Sequence, residues 1–238
     1  MIMLGTVVNA AAVVIGGGAG MLIKKGLKKD FQDSLMKTLG TAVIFLGAAG
    51  AMTGLLEFKD GVLQTRGTML MILSLTLGII AGELLKIEDR METLGEKLKK
   101  LVRAEGDNLF VQGFVTNALV VCVGAMAVVG ALQDGINHDP STLFAKAVLD
   151  AMISMVFAAS LGIGVLFAAV PLFLYQGAIT LLAGVASPFF TDEVVGNLSY
   201  IGNILIAAVG VNLLFGKTVK VGNMLPALIF AVILGYFM

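Results

Sequence analysis

Long apolar stretches alternate along the chain with short polar connectors. A helix needs about 20 residues to cross a hydrocarbon core about 30 Å thick. On that measure the pattern predicts eight spanning helices, at residues 2–23, 35–56, 67–86, 108–132, 141–164, 165–190, 194–215 and 223–238. The fifth and sixth divide one apolar stretch of 50 residues, Ser141–Phe190, whose only prolines are Pro171 and Pro188. The reversal within it can fall anywhere from Gly162 to Gln176, with Gly162 and Gly164 as the nearest hinge candidates. The last span is short and must stand upright or thin the bilayer. One connector has a period of its own. In Ile87–Val102, the apolar residues Ile87, Met91, Leu94, Leu98 and Leu101 recur at helical spacing. The opposite face carries Glu88, Asp89, Arg90, Glu92, Glu96, Lys97, Lys99 and Lys100. This is either an amphipathic helix on the membrane surface or a solvated continuation of the third span.

Composition agrees with the pattern. Of 238 residues 58% are hydrophobic and 13% charged, and the mean hydropathy is +0.98, whereas soluble domains carry about a quarter charged residues. The expected fold class is therefore all-α and polytopic, with the lipid bilayer as its surroundings. The first apolar run has no basic residue before it and Lys24 and Lys25 after it, so it reads as a retained span and not a cleaved leader.

The distribution of charge orients the spans. Lys24, Lys25, Lys28, Lys29 and Lys37 follow or edge the first connector, Lys86, Arg90, Lys97, Lys99, Lys100 and Arg103 the third, and Lys217 and Lys220 the seventh. With eight spans these thirteen cations share one side, against Lys59 and Arg66 on the other, with Lys146 inside a span. Both termini are then extracytoplasmic.

Several function classes lose support. Zero net charge gives no electrostatic case for a nucleic-acid partner. The single cysteine, Cys122, excludes an internal disulfide and reads as a small packed residue. His138 stands alone beside Asp139 and Pro140, so neither a zinc site nor another metal or cofactor is expected. No phosphate-binding glycine motif occurs, and no base stands beside a nucleophile, so the chain does not read as an enzyme.

One segment is written twice. Gly5–Gly16, GTVVNAAAVVIG, returns 108 residues later as Gly113–Gly124, GFVTNALVVCVG. Gly5/Gly113, Val7/Val115, Asn9/Asn117, Ala10/Ala118, Val13/Val121 and Gly16/Gly124 are identical. Under eight spans the copies have opposite orientations. The pattern then divides into 1–107, a three-span repeat plus the amphipathic helix; 108–190, an inverted three-span repeat; and 191–238, a two-span hairpin. A rival alignment lays Asp30–Gly50 on Asp192–Asn212. Inverted repeats let two halves exchange conformations about a fixed central site, which is the basis of alternating access.

Such a site needs polar groups inside the membrane, and these are scarce. Asp150, in AKAVLDAMISM, binds a cation or proton, or else pairs with Lys146 one turn earlier. Lys146 alone reads as a snorkelling residue. Asn9 and Asn117 supply amides to a carried ion or solute, or else tie helices together. Asn203 and Asn212 line a path or bridge helices. Gly16, Gly17, Gly18 and Gly20 form the best place for an unwound or hinged segment. The spacings of Gly50 with Gly54 and of Gly78 with Gly82 suit close helix packing.

The opening GTVVNAAAVVIGGGAGMLIKKGL, the Asp30–Gly50 segment and the ending VGNMLPALIFAVILGYF resemble the YqgA/YdfK-like family of bacterial inner-membrane proteins, over essentially the whole chain. The resemblance implies the bacterial cytoplasmic membrane and carries over no functional residue. The resulting expectation is a secondary transporter or channel-like permease for a small solute or ion. Its rival is a membrane scaffold or regulatory subunit assembling through glycine-rich faces. Homo-oligomer formation stays open.

Overall fold

The computed structural model describes residues 3–24, 26, 28–123, 125–186, 188 and 190–237. Lys25, the repeat position Gly124 and the expected span limits Ile2 and Met238 lie outside them. Among the described residues the protein is all-α apart from one hairpin. In order come α1 (Leu4–Lys24), α2 (Lys29–Leu55), β1 (Leu56–Lys59), β2 (Val62–Thr65), α3 (Thr68–Leu85), α4 (Ile87–Leu101), α5 (Phe110–Cys122) and α6 (Ala125–Ile136). There follow α7 (Ser141–Leu161), a 3-10 segment (Ile163–Ala168), α8 (Ala169–Leu181), α9 (Ala183–Ala186), α10 (Asp192–Phe215), α11 (Val221–Met224) and α12 (Pro226–Gly235). Among the described residues, six helices are long and apolar enough to cross a membrane: α1, α2, α3, α7, Ile163–Leu181 and α10.

The chain forms two compact units. Unit one comprises Met1–Met36, Met91–Cys122 and Met126–Pro188; unit two comprises Lys37–Arg90, Val123–Ala125 and Phe189–Met238. These limits follow compactness, whereas the sequence division followed duplication.

In unit one, α1 and α7 lie parallel and very close. Gly5 meets Leu143, Gly16 meets Ala151 and Gly20 meets Met155. A Cβ at Gly16 or Gly20 would overlap the carbonyl oxygen of Ala151 or Met155, so the two backbones touch through missing side chains. α8 runs antiparallel to α1, with Thr180 at Thr6, Gln176 at Asn9 and Leu166 of the preceding 3-10 segment at Gly17. An apolar cluster of Val13, Ala118, Val121, Ala168, Ala169 and Leu172 joins α1, α5 and α8. The reversal between α7 and α8 falls on Gly162, whose φ of 90° is a conformation that side chains disfavour. Beside it lie the ends of Asp107 and Lys24.

Two expectations are corrected here. α1 is continuous through Gly16–Gly20, because Gly16, Gly17 and Gly20 are spent on close packing and not on unwinding. The expected span 108–132 is instead two helices, α5 and α6, whose directions differ by 61°. Helix continues to Ile136 through a stretch expected as polar loop. The reason is Asp134, which is fully buried and accepts a hydrogen bond from the Gly5 N–H at 3.0 Å. It thereby satisfies a free donor in the first turn of α1.

In unit two, the glycines of α2 face α10 in antiparallel order: Gly40 at Leu213, Gly47 at Ala207, Gly50 at Asn203 and Gly54 at Tyr200. α3 lies antiparallel to α11 and α12, with Gly78 at Ala227 and Gly82 at Asn223. Both expected glycine pairs therefore pack helix on helix. Between α2 and α3 the chain makes a β-hairpin that the apolar pattern did not predict. Asp60 and Gly61, with φ of 53° and 78°, form its two-residue turn, and Leu56 pairs with Thr65 and Phe58 with Leu63. Lys86, at φ 50°, separates α3 from α4, so α4 is a helix of its own and not a continuation of α3. Glu88, expected on the solvated face of that helix, is buried. It accepts from the Gly222 N–H at 3.0 Å, and its own N–H donates to Asn223 Oδ1 at 2.8 Å.

Candidate functional site

Most polar side chains buried in unit one fall on one stripe of each helix. On α7, Lys146, Asp150 and Ser154 recur every four residues, one turn apart, and all three are buried. On α8, Gln176 and Thr180 do the same. α1 contributes Thr6 and Asn9, α5 contributes Asn117, and α6 contributes Asp134. Thr6, Asn9, Asn117, Asp134, Ser154 and Gln176 have no exposed surface at all.

These groups connect into a column. At one end Asp134 caps α1 at Gly5, and the Thr6 and Thr180 hydroxyls are 3.3 Å apart. One turn further along α1, Asn9 Nδ2 donates to Gln176 Oε1 at 3.2 Å, and its side chain lies beside the Asp150 carboxylate. Lys146 Nζ donates to both oxygens of Asp150, each at 2.8 Å. The next turn of α7 carries Ser154, whose Oγ accepts from Asn117 Nδ2 at 3.0 Å. The same nitrogen donates to the Val165 carbonyl at 3.1 Å. Ser160 is buried on another side of α7, just before Gly162, beside which Asp107 and Lys24 lie. From Gly5 to Lys24, α1 rises about 28 Å, close to the thickness of a bilayer core.

The column is not saturated. Asn9 Oδ1, Gln176 Nε2, Asn117 Oδ1 and Asp134 Oδ1 are buried without a hydrogen-bond partner, as is Ser160 Oγ on the other side of α7. Buried polar groups nearly always find partners, because leaving one unmade costs about 1–3 kcal/mol. In unit two, Ser74 Oγ and the Tyr200 hydroxyl are likewise buried without a partner.

Of the residues singled out from the sequence, Asn9, Asn117, Lys146 and Asp150 come together in this column. Asp150 is paired with Lys146, as the structural alternative had it. Asn203 and Asn212 belong to unit two and are held locally. Asn203 Nδ2 donates to the Ser199 carbonyl at 2.8 Å, and the side chain abuts Gly50. Asn212 organises the turn after α10, accepting from the N–H groups of Thr218 and Val219 and donating to the Val219 carbonyl at 2.7 Å. Cys122 borders the apolar cluster of unit one, within electrostatic reach of Lys146 and Asp150.

Gln176, Ser154, Thr180, Asp134 and Thr6 join the site without having been among the residues singled out from the sequence. The four-residue spacing of Lys146, Asp150 and Ser154, repeated by Gln176 and Thr180, was the available signal. Unit two holds a separate cleft of about 600 Å³ near the hairpin, lined in part by Arg66, Asp192, Glu193 and Asn197. Among the described residues no group of three or more histidine, cysteine or acidic side chains could hold a metal ion.

Apolar helices around a scarce buried polar stripe define a polytopic α-helical membrane protein. Residues 4–236 match the family described as "Protein of unknown function (DUF554)", and the chain belongs to that family. It is 31% identical over 227 residues to the "Uncharacterized membrane protein YdfK" of Bacillus subtilis (strain 168), covering 95% of this chain and 93% of that one. It is also 31% identical over 232 residues to the "Uncharacterized protein YqgA" of Escherichia coli (strain K12), covering 96% and 94%. No solved structure matches the chain.

Proposed function

We propose that the protein is a secondary transporter or channel-like permease of the bacterial cytoplasmic membrane, and that the polar column of unit one carries a small solute or ion. The observation behind this is the run of buried, unpartnered polar atoms, Asn9 Oδ1, Gln176 Nε2 and Asn117 Oδ1, between Asp134 and Gly162. Dry structural packing favours full satisfaction of such groups, and three amide atoms left open on facing helices depart from it. The conformation is then an occluded one, with the column closed to solvent along its length.

Eight crossings with both termini extracytoplasmic complete the reading. What supports the count is direction. Let α5 with α6 be the fourth crossing and Val221–Gly235, a shorter apolar helix, the eighth. The first and fifth crossings are then parallel neighbours, as α1 and α7 are. The first and sixth, second and seventh, and third and eighth are antiparallel, as their glycine and hydrogen-bond contacts run. The inverted repeat, 1–107 against 108–190 with 191–238 appended, rests on the shared segment around Asn9 and Asn117. An assembly role is less well supported, because Gly50, Gly54, Gly78 and Gly82 are occupied by helices of the same chain.

The test is uptake of small solutes and ions by proteoliposomes holding the purified full chain. Permeation above that of empty liposomes, reduced at least tenfold by Asn117→Leu, is expected. Uptake equal to empty liposomes contradicts the proposal.

A further inference from the structure

We infer that the species carried through unit one is a small uncharged molecule bearing both hydrogen-bond donors and acceptors, held at the Asn9–Gln176 pair with Asn117 beyond it. This rests on the permease reading and narrows it.

Charge and free hydrogen-bond valence along the column select the cargo. Asp150 is the carboxylate at the middle of the column, and Lys146 occupies both of its oxygens at 2.8 Å. The pair is buried and self-neutralising, so a passing cation meets no free carboxylate there unless it displaces the ammonium. Asp134 stands at the end of the column, and its Oδ2 is spent on the first turn of α1, whose dipole favours an anion over a cation at that point. Asp107 and Lys24 flank the other end, carrying opposite charges. The middle of the column therefore has no net charge to offset the desolvation of a bare ion.

What it does have is amide valence. Asn9 and Gln176 share one hydrogen bond, which leaves Asn9 Oδ1 as a free acceptor and Gln176 Nε2 as a free donor. The Asp150 carboxylate beside the Asn9 amide nitrogen fixes this assignment, because a flipped Asn9 would aim its oxygen at a carboxylate. Asn117 Oδ1 adds a second free acceptor. The matching ligand class is an amide, a urea or a short polyol, each neutral and able to give and take hydrogen bonds at once.

The experiment compares neutral and charged probes on the same proteoliposomes of full-length protein. Urea, acetamide and glycerol entry is followed by light scattering, and sodium, potassium and proton entry by potential- and pH-sensitive dyes. Saturable entry of at least one neutral probe, insensitive to membrane potential and reduced at least tenfold by Gln176→Met, is expected. Should Gln176→Met fail to fold, Asn9→Ser serves in its place. An ion current through the wild-type chain that Asp150→Asn abolishes, without neutral flux, overturns this inference and leaves the permease reading standing. Impermeability to every probe overturns both.

Discussion

Lys146 reaches Asp150 one turn further along α7 and binds both of its carboxylate oxygens at 2.8 Å, with both side chains buried. On a helix, lysine before aspartate is the weaker order. The contact is two-pronged nonetheless, because burial leaves each charge no better partner.

Removing one member leaves a buried charge unpaired. Lys146→Met is therefore expected to destabilise the protein by about 3–5 kcal/mol, whereas the double substitution Lys146→Met with Asp150→Leu costs much less. Thermal unfolding in detergent checks this, and a double variant no more stable than Lys146→Met contradicts it.

The glycines of α1 make a prediction of opposite sign at neighbouring positions. A methyl at Gly16 or Gly20 would strike a carbonyl of α7, so Gly16→Ala and Gly20→Ala are each expected to cost about 1–3 kcal/mol. Nothing lies within 4 Å of a methyl at Gly18. Gly18→Ala should gain up to about 1 kcal/mol through helix propensity alone. The three melting temperatures decide the matter together.

Asp139 precedes α7 and accepts from the Ser141 N–H at 3.0 Å; hydrogen bonds from the Ser141 side chain and backbone hold its carboxyl below the usual carboxylate range. A group with a lowered folded pKa contributes stability above its unfolded value and loses it as the pH falls through the folded value. Asp139→Asn should therefore lower stability slightly near neutrality and flatten the acid limb below about pH 4, where the two proteins converge. An acid limb identical in the two proteins contradicts this assignment.

How much of this was legible follows from which signals are local. Apolar run length gave the helices, and the spacings of Gly50 with Gly54 and Gly78 with Gly82 gave packing faces, because both depend on residues close in sequence. Asp134 was missed because its partner is the N–H of Gly5, 129 residues away, and a carboxylate near Asn137 and His138 reads as loop. The hairpin is too short to register in apolar runs of spanning length; the Asp60–Gly61 pair between LEFK and VLQT carries its signal. Gly16–Gly20 looked like a hinge because glycine permits unwinding and close packing alike, and only the position of α7 decides between them. Lys146 and Asp150 were legible as a pair, but the engagement of both oxygens, which redirects attention to the amides, was not.

Wetting of the column is the most direct test of the central idea. Ser154 is fully buried between Asn117 and the Asp150 turn of α7, and cysteine matches it closely in size. In a Cys122→Ala background, Ser154→Cys in native membranes should react with a small, membrane-impermeant thiol reagent, and a saturating neutral probe should slow the reaction. A thiol at position 154 that stays unreactive in the folded protein under every condition would mean a dry core, and the permeation account would be wrong.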